Sequence, residues 1–190
     1  RPALSYLDGS TSETIYVAEL SSHQLSDLAW SPHVAVVQDV VPEHLDYYIS
    51  FTAYLAAKAN IAKHQGQDDY IIYNSDSSTA SSIAELSRGI HLAFGTDERP
   101  ELTCAVEHGW LVYRGHGTRQ KIMAVSEVPL RGRFNLLNVM PGIMVGELFG
   151  IPTEAISTSV RQFRPLEHRL EFVTTIDGVS FYNDSLATVP

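Results

Sequence analysis

A chain of 190 residues, 44% hydrophobic and 18% charged, carries enough apolar material to bury one core and has the composition of a soluble globular domain. Its formal net charge of −9 excludes a nucleic-acid surface, because phosphate backbones are held by clustered Lys and Arg. One cysteine, Cys104, excludes a disulfide framework and predicts a reducing, cytoplasmic compartment; no apolar run is long enough to span a bilayer, and no signal peptide opens the chain.

In chain order, the apolar run 15–18 predicts a buried strand. It ends in Glu19, and Ser21 and Ser22 are placed to cap a helix. Ligands of open α/β sheets sit outside the carboxyl ends of the strands, so Glu19 stands where a metal or substrate ligand is expected. Trp30-Ser31-Pro32-His33 reads as a turn, and 34–37 as a second buried strand, again with His44 just beyond its carboxyl end. A helix is predicted over 47–63. Within it, Phe51, Tyr54, Leu55, Ile61 and Ala62 lie at −7, −4, −3, +3 and +4 from Lys58, so this lysine points along the apolar stripe. A packed stem with a snorkelling amine explains that position equally well.

Next come a strand over 69–73, a helix over 81–88 closed by Gly89, and a strand over 90–94. This strand–helix–strand alternation predicts a parallel sheet flanked by helices, an α/β fold. From Thr103 the pattern changes. Segments 104–107 and 110–113 flank His108-Gly109 as a hairpin, and 121–125 adds a third strand to a small antiparallel element. A helix over 135–149 follows, with Asn135 and Asn138 on one face, Pro141 inside it as an expected kink, and Gly150 closing it. Thr153 is expected to cap a helix reaching 163. Segments 171–175 and 179–182 form a second hairpin around Asp177-Gly178.

Four motifs stand in this order: Glu19-Leu20-Ser21-Ser22-His23-Gln24-Leu25; Glu43-His44-Leu45-Asp46 with Ala57-Lys58 downstream; Gly132-Arg133-Phe134-Asn135-Leu136-Leu137-Asn138; and Leu166-Glu167-His168-Arg169-Leu170-Glu171 leading to Asn183-Asp184-Ser185-Leu186-Ala187-Thr188. Together they resemble the Mur ligases, and the first motif resembles the glutamate-adding branch of that family. The resemblance covers nearly the whole chain. It implies that 1–182 is part of a central ATP-binding domain and that 183–190 begins the linker to a further domain. No G-x-x-x-x-G-K-[ST] phosphate loop occurs in the chain, and it starts at Arg1-Pro2 without an initiator Met. A piece of a longer enzyme, inactive by itself, is therefore expected.

The resemblance implies an ATP- and Mg²⁺-dependent ligase of peptidoglycan precursor synthesis. Such an enzyme joins UDP-N-acetylmuramoyl-L-alanine to D-glutamate by way of an acyl phosphate. It implies no nucleic-acid or membrane partner, a cytoplasmic monomer, and the following roles. Glu19, His44 and Lys58 would serve the metal, Lys58 as a carbamate, with His44 and Lys58 also catalytic. Ser21, Gln24 and Thr188 would face substrate. Asn135 and Asn138 would meet the adenine, Arg169 phosphate and Asp184 the ribose. Phe134, Glu43, Pro141 and Leu186 depart from the family pattern. Leu186 replaces a cation near the amino-acid end, which leaves open L-glutamate or another amino acid as the added group. A non-catalytic module binding a nucleotide-sugar is the alternative from another class. The scattered histidines, without H-E-x-x-H or a Cys/His cluster, give no support to a zinc hydrolase.

Overall fold

A computed structural model describes residues 8–43, 46–115 and 117–187. His44 and Thr188 lie outside the described residues.

Six strands form one sheet in the order of the sequence: β1 (Val34–Val37), β2 (Tyr70–Asn74), β3 (Ile90–Gly95), β4 (Cys104–Glu107), β5 (Trp110–Gly115) and β6 (Thr118–Ala124). The first four are parallel and the last three antiparallel, so the antiparallel strands extend the parallel sheet. β1 and β2 are joined through α2 (Phe51–Lys63), and β2 and β3 through α3 (Ser78–Ala84). The helices α4 (Arg133–Leu148) and α5 (Thr153–Gln162) follow β6, and the hairpin β7 (Glu171–Ile176) with β8 (Val179–Asn183) forms a sheet of its own.

Parity along the strands assigns the two faces. Ala35, Val37 and Ile71 pack with Tyr54, Ala57 and Ala62 of α2 and Ala80 and Ile83 of α3. Their neighbours Val34, Val36 and Ile72 turn the other way, onto Met140, Ile143 and Met144 of α4 and Ile156 of α5. Both faces are covered, which is why these strands read as unbroken apolar runs.

Several expectations need correction. Segment 15–18 is not a strand, and Ile15, Tyr16 and Val17 are exposed, Val17 at 92%. A short apolar run becomes a strand only where a neighbour offers it a ladder of hydrogen bonds, and this run pairs with none of the described strands. The helix predicted from 47 starts at Phe51, because the Ser50 hydroxyl accepts the Ala53 N–H and caps it there. The helix predicted from 81 starts three residues earlier, capped by the Ser77 hydroxyl through the Ala80 N–H. It ends at Ala84, so Gly89 does not close it. Gly89 instead lies where an added Cβ would stand 2.4 Å from the Asp69 carbonyl oxygen, and that oxygen accepts the Ile90 N–H.

Thr153 is the first helical residue of α5 and supplies no cap; its hydroxyl donates to Glu147 and accepts from Gln120. Gly150 does close α4. With φ +68° it lets the Gly150 N–H reach the Glu147 carbonyl and the Ile151 N–H the Gly146 carbonyl, a Schellman pair. Pro141 sits buried inside the continuous α4. Both hairpins turn as expected, with positive φ at His108-Gly109 and Asp177-Gly178.

Candidate functional site

Each of the first three strands is followed, two residues past its carboxyl end, by an aspartate: Asp39 after β1, Asp76 after β2 and Asp97 after β3. These carboxylates stitch the edge together. Asp39 accepts from the Ser77 hydroxyl at 2.6 Å and from the Val40 N–H at 2.9 Å. Asp76 accepts from the Thr96 N–H at 2.9 Å and from Arg99 Nη2 at 2.5 Å. Asp97 accepts from Arg133 Nη2 at 2.5 Å, while Arg133 Nε donates to the Thr96 hydroxyl. Between these loops and the first turn of α4 opens a cleft of about 590 Å³, lined by Ser75, Asp76, Thr96, Asp97, Arg99, Arg133, Phe134 and Leu137. It lies beyond the carboxyl ends of parallel strands, where ligands of α/β sheets bind. None of these residues had been assigned a role from sequence. Asp76 and Asp97 carry a signal in their offset from strand ends and Arg133 stands in the third motif, whereas Arg99 carries none.

The first motif is held against α2 and the residues just before it. Helix α1 (Ser22–Leu25) begins with a reciprocal cap: Ser21 Oγ accepts the Gln24 N–H at 3.3 Å and Gln24 Oε1 accepts the Ser21 N–H at 2.9 Å. The predicted substrate groups Ser21 and Gln24 are thus engaged with each other. The far end of α1 is tied to α2 by Asn60 Nδ2, which donates to the Leu25 carbonyl at 2.9 Å and the Ser26 carbonyl at 3.2 Å. The ring of His23 stands 4.3 Å from that of Tyr47 and 5.6 Å from that of Tyr48, and the Ser26 and Tyr48 hydroxyls share a hydrogen bond at 3.2 Å. Ser22 Oγ is buried and meets no hydrogen-bond partner among the described residues.

Lys58 is half-buried with its ammonium 5.3 Å from the Tyr54 ring centre. Burial, followed by the nearby charges of Glu43 and Tyr48, pushes the Tyr54 phenol above its ordinary range. Glu19 is exposed on an irregular segment, off any strand end. Among the described residues no group of three His, Cys, Asp or Glu is placed to hold a metal. Glu19 and Lys58 by themselves therefore do not compose a magnesium site.

A second recess lies where α4 begins. Asn135 and Asn138 are joined side chain to side chain at 3.1 Å, and Asn135 Nδ2 donates to the Arg131 carbonyl at 2.6 Å. Asn135 and Arg169 line one recess with Arg131, Leu170, Phe172 and Tyr182. Asp184 Oδ1 accepts the Leu170 N–H at 3.1 Å, which fixes the backbone beside Arg169. The Tyr182 hydroxyl is buried and finds no partner among the described residues. Four residues predicted to meet a nucleotide, spread from 135 to 184, are thus gathered in one neighbourhood.

A family model described as "Mur ligase middle domain" matches residues 4–146. The UDP-N-acetylmuramoylalanine–D-glutamate ligase of Acidobacterium capsulatum is 38% identical over 98% of this chain and 41% of its own length. The ligase of the same name from Streptococcus equi subsp. zooepidemicus is 35% identical over 98% of this chain and 40% of its own. The chain thus spans about two fifths of the length of the curated relatives it matches. Among solved structures, MurF from Acinetobacter baumannii superposes with a TM-score of 0.62 at 17% identity, over 81% of this chain and 34% of that one, which is a likeness of fold.

Proposed function

This chain belongs to the Mur ligase family, and from that premise we propose that it is the nucleotide-handling portion of an ATP-dependent ligase adding glutamate to UDP-N-acetylmuramoyl-L-alanine in peptidoglycan precursor synthesis. The observation that supports this reading is that Asn135 and Arg169 line one recess, with Asn138 bonded to Asn135 and Asp184 bonded to the backbone beside Arg169. Asn135 and Asn138 offer amide donors and acceptors to a base edge. Arg169 offers a fixed guanidinium fork to phosphate oxygens. Asp184, already holding the Leu170 N–H through one oxygen, keeps the other for a ribose hydroxyl. ATP supplies the phosphoryl group that turns a carboxylate into an acyl donor for an amine.

In the longer protein, Glu19, His44 and a carbamylated Lys58 serve Mg²⁺, and Ser21, Gln24 and Thr188 face the muramoyl substrate. The enzyme is cytoplasmic and monomeric in this reading. Among the described residues no helix is long and apolar enough to cross a membrane. Leu186, exposed and lacking a cation, favours a second reading of the amino-acid end in which L-glutamate is the added group.

Calorimetric titration of ADP into this chain tests the nucleotide reading. Asn138→Ala and Arg169→Ala are each expected to weaken binding about tenfold, equivalent to about 1.4 kcal/mol. Equal affinity in both variants and the parent would overturn it. Competition of D-glutamate against L-glutamate on the longer protein, with and without Leu186→Lys, decides the amino acid.

A further inference from the structure

We propose that the cleft at the carboxyl ends of β2 and β3 is an oxyanion-binding site, separate from the nucleotide recess, in which Arg99 and Arg133 take a phosphate or carboxylate group. The argument starts from donors without acceptors. A guanidinium carries five N–H donors and no acceptor. Arg99 commits only Nη2, to the Ser75 hydroxyl at 2.8 Å and to Asp76 at 2.5 Å. Its Nε is buried and finds no acceptor among the described residues. A buried donor left unmet is costly, so a ligand that accepts there recovers that cost on binding. Arg133 commits Nε to Thr96 and Nη2 to Asp97, and no described hydrogen bond uses its Nη1.

An incoming anion shares the two arginines with two carboxylates, and it reaches the donors these leave unused. Asp76 is filled by Arg99, the Thr96 N–H and the Thr96 hydroxyl. Asp97 is held by Arg133 in a pair exposed on both sides, 66% and 65%, which is weak enough to exchange partners. Two aspartates and two arginines cancel in formal charge, so the cleft is a neutral spot on a chain of net charge −9. The arginines are positioned in advance. Arg99 is pinned against Gly95, where an added Cβ would come within 2.8 Å of its Nη2. The surplus is therefore of charged donors, and the ligand chemistry that meets them is an oxyanion.

The cleft and the nucleotide recess share α4 but use different residues of its first turn. Arg133, Phe134 and Leu137 face the cleft, and Asn135 faces the recess. Phe134, half exposed, and Leu137 add an apolar wall on which the body of a ligand rests while its anionic end meets the arginines.

The test is nitrogen-15 NMR of arginine side chains in this chain, titrated with inorganic phosphate or acetate at ionic strength held constant with chloride. The expected result is a saturable shift of the Arg99 Nε–H signal. Arg99→Lys keeps a cation beside Asp76 but has no Nε, and it is expected to weaken the anion's stabilisation in thermal unfolding by at least about tenfold in apparent affinity. Response to phosphate alone assigns a phosphoryl group, and response to both anions assigns any oxyanion. No saturable shift with either anion, or an Arg99→Lys protein stabilised as well as the parent, overturns the proposal. ADP binding read at the Asn135 and Asn138 side-chain amides is scored separately, so the nucleotide reading stands or falls on its own signals.

Discussion

Lys58 holds its ammonium 5.3 Å from the centre of the Tyr54 ring, one turn back along α2. Residues four apart on a helix are neighbours, so this contact is set by the helix itself. A cation over an aromatic face at a partly exposed site contributes about 0.5–1 kcal/mol. Lys58→Met, which keeps the stem, is therefore expected to cost no more than about 1 kcal/mol in urea unfolding. In the longer ligase, Lys58→Ala is expected to abolish turnover, with partial recovery when short carboxylic acids are added. A normal rate in Lys58→Ala would show that the lysine only packs and snorkels.

The 190-residue chain by itself is expected to release no phosphate from ATP above a Glu19→Ala control. Its sequence has no phosphate loop to cradle the β- and γ-phosphates, and preorganised contacts of that kind supply several kcal/mol of the barrier reduction. Phosphate release by purified chain that falls in Glu19→Ala would sink this expectation.

Asp69 sets a pH dependence of stability. Its carboxyl is held below the usual carboxylate range, first by the His33 ring nitrogen 2.8 Å away and then by the Gly66 N–H. A depressed folded-state value means that the contribution is present above the unfolded carboxylate pKa of about 3.9 and is lost as pH falls through the folded one. Urea midpoints measured from neutral to acid pH should fall more steeply for the parent than for Asp69→Asn over that window. Identical slopes would contradict the assignment.

Glu107 is 4% exposed between Arg114 and Arg119 on the antiparallel strands, with Arg119 Nε donating to it at 3.0 Å. Glu107→Ala leaves the Arg114 guanidinium, 22% exposed, without its counter-charge. Breaking a buried pair costs about 3–5 kcal/mol, whereas Arg119→Ala, removing a side chain 50% exposed, is expected to cost clearly less. The check is a shift in denaturant midpoint at unchanged slope. Equal losses in the two variants would show that the exposed Arg119 pair carries the whole contribution of Glu107.

Cys104 is fully buried in the core between the sheet and α4, and burial pushes its thiol up to about 12. The thiolate is the reactive form, so a disulfide reagent at neutral pH should label this cysteine only at the rate of unfolding. Rapid labelling of the native chain would mean that α4 opens from the sheet.

The sequence by itself determined the elements whose signals are local. Residues 34–37 are an apolar run between a Pro-His turn and a polar pair, and β1 has those bounds. His108-Gly109 and Asp177-Gly178 supply the positive φ that two-residue hairpins need, and both hairpins form. The motif order that resembles the Mur ligases was equally legible, and the family match spans the first three of the four motifs. Residues 15–18 carry as strong an apolar signal as 34–37 yet are exposed, because periodicity reports a preference and says nothing of whether a neighbouring strand is there to pair.

Only the tertiary structure decided which polar groups meet. Asp76 and Arg99 are 23 residues apart, and Asp97 and Arg133 are 36 apart. No spacing rule connects them. They meet because parallel register aligns the ends of β2 and β3, and because α4 covers the same face and brings its first turn to that edge. Ser21 and Gln24 illustrate the converse, since motif residues chosen for a ligand are engaged in capping their own helix. Local chain preferences are set within a few residues. A site is set by the docking of whole elements, whose energy is spread over many buried apolar contacts that no motif records.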